Sequence, residues 1–253
     1  MKAVWKGYIG FGLVNIPISL YSAVEQNKFS FRLLHEKDHG KIHYKRVCSK
    51  CGKEVDWDDI VKGLKVGKGN YYVLTKKELD QLKPTSGDLI EIQEFVSEDQ
   101  LDMIFLDKHY FIGPSKGNKR SYYLFKEILK TQKKIAIATF VMRENEYYCS
   151  IKSFKEGMLL SLLNYDNDVR DISSVDYLGE KPEFKEQEIS LAQQLVKKLT
   201  KESFDPSKYK DTFEEKLKEK IRKKMEGEMV TIEEEKVEGT ENLIESLKAS
   251  VKK

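Results

Sequence analysis

The sequence predicts a mixed β fold with added α: a central β-barrel or strongly curved sheet, an extended arm, and a helical C-terminal region. Three observations carry that prediction. Short runs of β-branched and aromatic residues, punctuated by Gly, Pro and polar turns, recur through roughly the first 155 residues. The few helical stretches among them do not alternate with strands, so the βαβ rhythm of a parallel nucleotide-binding sheet is missing. Helical periodicity takes over only after residue 190. With 253 residues the chain can bury a sizeable core, as one large domain or as a domain with an appendage.

In chain order, residues 8–24 suit strands bent at Gly10, Gly12 and Pro17. Phe29, Phe31 and Leu33 alternate with Ser30 and Arg32. Alternation continues over 41–46, which puts Lys41, His43 and Lys45 on one face of an extended backbone and Ile42, Tyr44 and Arg46 on the other. Cys48 and Cys51 then bracket a tight knuckle, and the acidic residues of 56–59 start a return segment ending at Gly63. A strand is expected at 70–74. Thr75 and Glu78 match a capping box for a short helix that carries Leu79 and Leu82 and stops at Pro84. Further strands are expected at 89–96 and 103–112. Ser121 is expected to cap a helix with Leu124, Phe125, Ile128 and Leu129 on one face. Residues 135–143 and 147–154 then pair as a hairpin through the turn at Glu144, Asn145 and Glu146.

After Gly157 an apolar run passes into an acidic turn. Ser190 is expected to start a helix striped by Leu191, Leu195, Val196 and Leu199. Asp205 and Pro206 suit the N-cap and first position of the next, where Tyr209, Phe213, Leu217 and Ile221 recur every four residues before Gly227 ends it. Residues 228–239 lack apolar periodicity and suit a linker. Thr240 caps a last short helix whose stripe, Leu243, Ile244, Leu247 and Val251, calls for a partner surface. The expected domains are a core at 1–190 that includes the arm at about 35–75, a helical arm at 191–227, the linker at 228–239 and the terminal helix at 240–253.

The net charge of +3 conceals segregation along the chain. Residues 1–75 hold 13 basic against 7 acidic side chains, and residues 108–155 hold 11 against 3. Residues 76–107 and 156–191 each hold 3 against 9. If the two basic blocks meet in the fold, they make a positive surface of the kind that binds phosphate backbones. Three cysteines with one close pair make no disulfide framework and favour a reducing compartment. The first residues lack the long uncharged segment of a signal peptide, and no run reaches the roughly 18 apolar residues of a membrane helix. A soluble cytoplasmic protein is expected.

The chain resembles the prokaryotic Ku proteins of DNA end joining. The resemblance is carried by WKG at 5–7, FGLVNIP at 11–17, LYSA at 20–23, HEKD at 35–38, residues 41–51, and DIVKG at 59–63. It continues through YFIGP at 110–114, residues 164–171 with DVRD at 168–171, FDPSKY at 204–209 and LKASV at 247–251, and so runs in order along essentially the whole chain. It implies a non-enzymatic homodimer that closes as a ring around duplex DNA ends in repair of double-strand breaks. Each protomer would have a β-barrel core, an arm bridging the duplex and a helical C-terminal part that recruits an ATP-dependent DNA ligase. The C-terminus stops soon after the last helix, without the long Lys-rich tail of some members, so functions carried by such a tail are not implied. With that resemblance, the candidate DNA contacts are Lys41, Lys45, Arg46, Lys62, Lys65 and Lys68 on the arm, with Lys133, Lys134 and Arg143 beyond it. Candidate ligase contacts are Tyr209, Phe213, Leu217, Leu243 and Leu247. Action at chromosomal breaks would place the protein at the nucleoid.

A protein that accepts any broken end works through phosphates and counterion release rather than base readout, which fits cations scattered on strands and loops. No cofactor is required. Cys48 and Cys51 have metal-ligand spacing but supply two of the four ligands of a structural zinc. His35, His39 and His43, or a second pair from a partner chain, would complete it; a reduced turn or surface dithiol is the plainer account. Asp166, Asp168 and Asp171 raise the alternative of a metal-dependent nuclease, against the plainer role of turn and cap carboxylates. A generic duplex-binding protein that does not thread DNA is the other alternative. No P-loop, zinc-protease or serine-hydrolase motif is present.

Overall fold

The computed structural model describes residues 1–25, 29–67, 69–82, 84, 87–115, 119–179, 182–226 and 247. The chain forms two units, residues 1–27 with 31–171 and residues 28–30 with 172–253.

In the first unit, seven strands close a barrel: β1 (Trp5–Phe11), β2 (Val14–Ser22), β5 (Leu89–Ser97), β6 (Leu106–Pro114), β7 (Lys134–Met142), β8 (Asn145–Phe154) and β9 (Gly157–Leu163). Their order around the barrel is β1-β2-β6-β9-β8-β7-β5, and a parallel pairing of β1 with β5 makes the closure. Every other pairing is antiparallel. Two tight turns set the register. Gly12, at φ 59, turns β1 into β2, a conformation that costs a residue without Cβ nothing. Arg143 and Glu144, at φ 52 and 68, turn β7 into β8 so that Met142 pairs with Asn145.

The barrel core gathers Ile9, Ile18, Leu20, Ile90, Ile151 and Leu160, each fully buried. Helix α2 (Lys119–Thr131) lies against β2, β7 and β8 and sends Tyr122, Phe125 and Leu129 into the same core. Each such side chain contributes on the order of 1.5–3 kcal/mol by leaving water. The expected stripe through Leu124 and Ile128 is corrected here: both are exposed, and the helix starts before Ser121, which lies inside it. Strand β7 is buried on both faces, because Ile135 and Ile137 meet a second cluster with Leu101 and Phe105. The strand expected from 103 begins only at Leu106. Asp102 accepts from the Ile104 N–H at 3.0 Å and holds 103–105 in a 3-10 turn.

The arm emerges between β2 and β5. It carries a short two-stranded sheet, β3 (Lys62–Lys65) with β4 (Tyr71–Leu74), and helix α1 (Lys76–Leu82). The capping box is present: the Thr75 N–H donates to Glu78 Oε2 at 2.8 Å, and the Glu78 N–H donates back to Thr75 Oγ1 at 3.3 Å.

In the second unit, α3 (Glu186–Leu199) begins before Ser190, so the expected start is corrected; the Lys185 N–H donates to Glu188 Oε2 at 2.8 Å. Asp205 does cap, accepting from the Ser207 N–H at 3.1 Å, but it opens only a 3-10 turn. Asp211 accepts from the Glu214 N–H at 3.0 Å and opens α4 (Thr212–Met225), which leaves Tyr209 outside the helix. Gly227, the linker and most of the terminal helix lie outside the described residues, apart from Leu247, which is helical and half-buried.

Candidate nucleic-acid interface

The β7–β8 hairpin pairs Ala136 with Ile151, and β5 pairs Ser97 with Lys134. Those registers bring the start of β7, the end of β8 and the C-terminal end of α2 to one end of the barrel wall. A groove of about 600 Å³ opens there, lined by Lys130, Lys133, Lys134, Lys152 and Lys155 with Glu98 and Asp99. Lys133 and Lys155 sit in left-handed backbone, at φ 51 and 47, where the chain turns out of α2 and out of β8. Lys134 Nζ donates to Ser97 Oγ at 2.8 Å, and Lys152 Nζ pairs with Glu98 Oε1 at 2.5 Å. Lys155 Nζ lies 5.5 Å from the Phe154 ring centroid. Five ammonium groups against two carboxylates in one concavity make a site for an anion with several oxygens, such as a run of phosphates.

Of the candidate contacts, Lys133 and Lys134 line this groove, and Arg143 does not. It lies at the far turn of β7, nine residues from Lys134 and so about 30 Å away at strand rise. Lys130, Lys152 and Lys155 were not among the candidates; the hairpin register was the signal that would have found Lys152 and Lys155.

The arm cations stand apart as a second set. Lys41 pairs with Leu34 in an isolated bridge and is exposed. Lys45 Nζ meets Glu54 Oε2 at 2.8 Å. Arg46 is fixed by its own hairpin: Nε donates to the Val55 carbonyl at 3.2 Å, and the guanidinium lies 4.5 Å from the Trp57 ring centroid. Lys62 and Lys65 are exposed on β3, on opposite faces because they are three residues apart in a strand. Lys68 lies outside the described residues. On the same arm Tyr44, Trp57, Leu64 and Tyr71 are all more than half exposed, and the register of β3 with β4 puts Leu64 and Tyr71 on opposite faces of that sheet.

Cys48 and Cys51 are free thiols at the tip of one arm hairpin. Among the described residues no group of three or more metal-binding side chains assembles, so the histidines of the arm do not complete a site with them, and Asp166, Asp168 and Asp171 form no nuclease-like cluster. His35 Nδ1 is instead 2.9 Å from Asp38 Oδ1. Cys149 is buried in the barrel, where desolvation pushes its thiol up. Tyr209 and Phe213 are exposed, Leu217 is half-buried, and Leu247 lines a groove on α3 with Phe184, Ile189 and Val196. Leu243 lies outside the described residues. No described helix is long and apolar enough to cross a membrane.

A family model, the Ku70/Ku80 beta-barrel domain, matches residues 10–191. The chain is 35% identical over 251 residues to a non-homologous end joining protein Ku of Archaeoglobus fulgidus, covering 99% of this chain and 98% of that one. It is 36% identical to one from Lachnoclostridium phytofermentans, covering 98% and 95% of the two chains. A Bacillus subtilis relative of the same name is 33% identical, with 98% and 80% covered.

Proposed function

We propose, from the premise that this chain belongs to the Ku family of non-homologous end joining proteins, that it is a non-enzymatic clamp for double-stranded DNA ends. Two copies form a ring that a broken duplex enters end first, and the assembled ring recruits an ATP-dependent DNA ligase to the break. The observation that carries this is the lysine groove on the barrel wall. Its cations come from one helix, two strands and the turns beside them, with no recognition helix among them, so they contact phosphates and read no base edges. The arm supports the same reading: it carries both cations and exposed aromatic side chains, as expected of a segment that lies along a duplex and a second copy. Exposed Tyr209 and Phe213 offer the aromatic anchors that a ligase surface would use. The site of action is the cytoplasm, at the nucleoid.

A competition measurement tests threading. Linear fragments are expected to displace a labelled blunt-ended duplex, while covalently closed circles of equal mass do so far less well. Equal competition by the circles would replace the ring with a generic duplex-binding surface.

A further inference from the structure

A row of aromatic rings crosses the outer wall of the barrel beside the lysine groove. On β6, Tyr110 and Ile112 pack into the core, so Phe111 between them faces outward. Leu20 is fully buried and sends its neighbour Tyr21 to the outer face of β2, where the register pairs Tyr21 directly with Phe111. Ile151 faces the core on β8, which turns Lys152 and Phe154 outward. Phe111 and Phe154 meet across β9 and stack, with ring centroids 6.0 Å apart and planes 21° apart. Gly113 makes room for the third ring, because a Cβ there would come to 3.0 Å from the Tyr21 ring edge. Lys155 ends the row, its Nζ 5.5 Å from the Phe154 centroid. All three rings are half-buried: the strands support one side of each, and the rest stands in solvent.

We infer that Tyr21, Phe111 and Phe154 are a stacking platform for the unpaired bases of a single-stranded overhang at the broken end. Aromatic faces stack on any base, and cations beside them follow the phosphate backbone; the two together give single-strand binding that ignores sequence. Both parts adjoin here, since Lys152 and Lys155 lie on either side of Phe154 in the chain and line the groove. The row runs from β2 to β8, three strand spacings or about 14 Å. That is room for about two or three bases laid on a sheet. A duplex keeps its bases paired and stacked inside, so it offers phosphates to the lysines and nothing to the rings. Only an unpaired strand engages both. The inference rests on the proposed clamp, which brings a broken end to this protein.

The test compares three duplexes of one sequence at fixed salt: blunt, with an overhang of about six thymidines, and with an abasic overhang of the same length and the same phosphates. The full-length protein should bind the thymidine overhang roughly tenfold more tightly than the abasic one. Phe111→Leu, which keeps an apolar side chain on the wall, should abolish that difference and leave the affinity for the blunt duplex unchanged. In the parent protein, 5-iododeoxyuridine placed in the overhang should photocrosslink to Tyr21, Phe111 or Phe154, a readout that needs no variant to fold. Equal affinity for the two overhangs, or crosslinks confined to other residues, would overturn the platform and leave the row as a surface for protein contact. Failure of the clamp reads differently: closed circles that compete as well as linear fragments refute threading, whereas exclusion of circles without any base-dependent gain refutes the platform alone.

Discussion

Neutralising the outer lysines of the barrel groove tests the phosphate-binding assignment quantitatively. Lys134 and Lys152 are held by Ser97 and Glu98, so Lys130, Lys133 and Lys155 are the substitutions of choice, each to Gln. All three are exposed and leave the barrel core untouched. Each phosphate neutralised contributes about 0.9 to the slope of log Kobs against log salt. Losing three contacts should flatten that slope by about 2.7 for each copy of the groove on the DNA. Across a rise from about 50 to about 200 mM salt, the variant should therefore lose roughly fortyfold less affinity than the parent. The assay is fluorescence anisotropy of an end-labelled blunt duplex over a salt series, repeated with a second sequence of equal length. The loss at low salt should be the same for both sequences. The arm triple, Lys45, Arg46 and Lys62 to Gln, is measured beside it. Glu54→Gln supplies a change of opposite sign, since it removes the carboxylate 2.8 Å from Lys45 and should strengthen binding a few-fold. A slope unchanged within error would remove the groove, or the arm, from the DNA surface.

Tyr122 and the α2 stripe give two tests of the barrel. Burial pushes the Tyr122 phenol from its ordinary 10 up to about 12, against a bond from the Met158 N–H that acts the other way. The fold thus prefers the protonated phenol; the stability this supplies is complete below about pH 10 and is lost as pH rises through about 12. Tyr122→Phe should remove that part of the alkaline fall in thermal midpoint. It should also cost about 1–3 kcal/mol at neutral pH in a denaturant titration, because the Ile112 carbonyl loses a 2.5 Å donor. An unchanged alkaline limb would refute the assignment. Leu129→Ala should cost about 2–5 kcal/mol and Ile128→Ala under about 1, and a reversed order would mean that the helix presents its other face.

The barrel was legible in the sequence because its strands are short runs rich in β-branched and aromatic residues and its turns carry their own chemistry. Residues 135–154 announce a hairpin, and Thr75 with Glu78 announces a helix, by contacts within a few residues of each other. The misread elements share one cause: two local signals satisfied the same rule. In α2, Leu124 and Ile128 lie four apart, as do Phe125 and Leu129, and only the curvature of β2, β7 and β8 selects the face with Tyr122. Asp205 and Asp211 are both real caps, and the second one opens α4. The lysine groove was half legible. Charge density over 108–155 marked its region, but its membership depends on which ends of β5, β7 and β8 coincide, a long-range fact set by closure of the barrel.

The arm poses a different physical problem from the barrel it leaves. Its sheet has two strands of four residues, and a pair that small is marginal in water without a covered face. Its local devices, the Arg46 stack on Trp57 and the closed knuckle at Cys48, fix direction but bury little. Trp57, Tyr44 and Tyr71 remain in solvent. In the proposed clamp such a segment would gain its order from what it touches: phosphates would neutralise the lysines, and a second copy would cover the aromatics. Both contributions would act on one ribbon, so each should strengthen the other. In the proposed ring, the stability of the bound arm should report on closure rather than on the sequence of the DNA inside it.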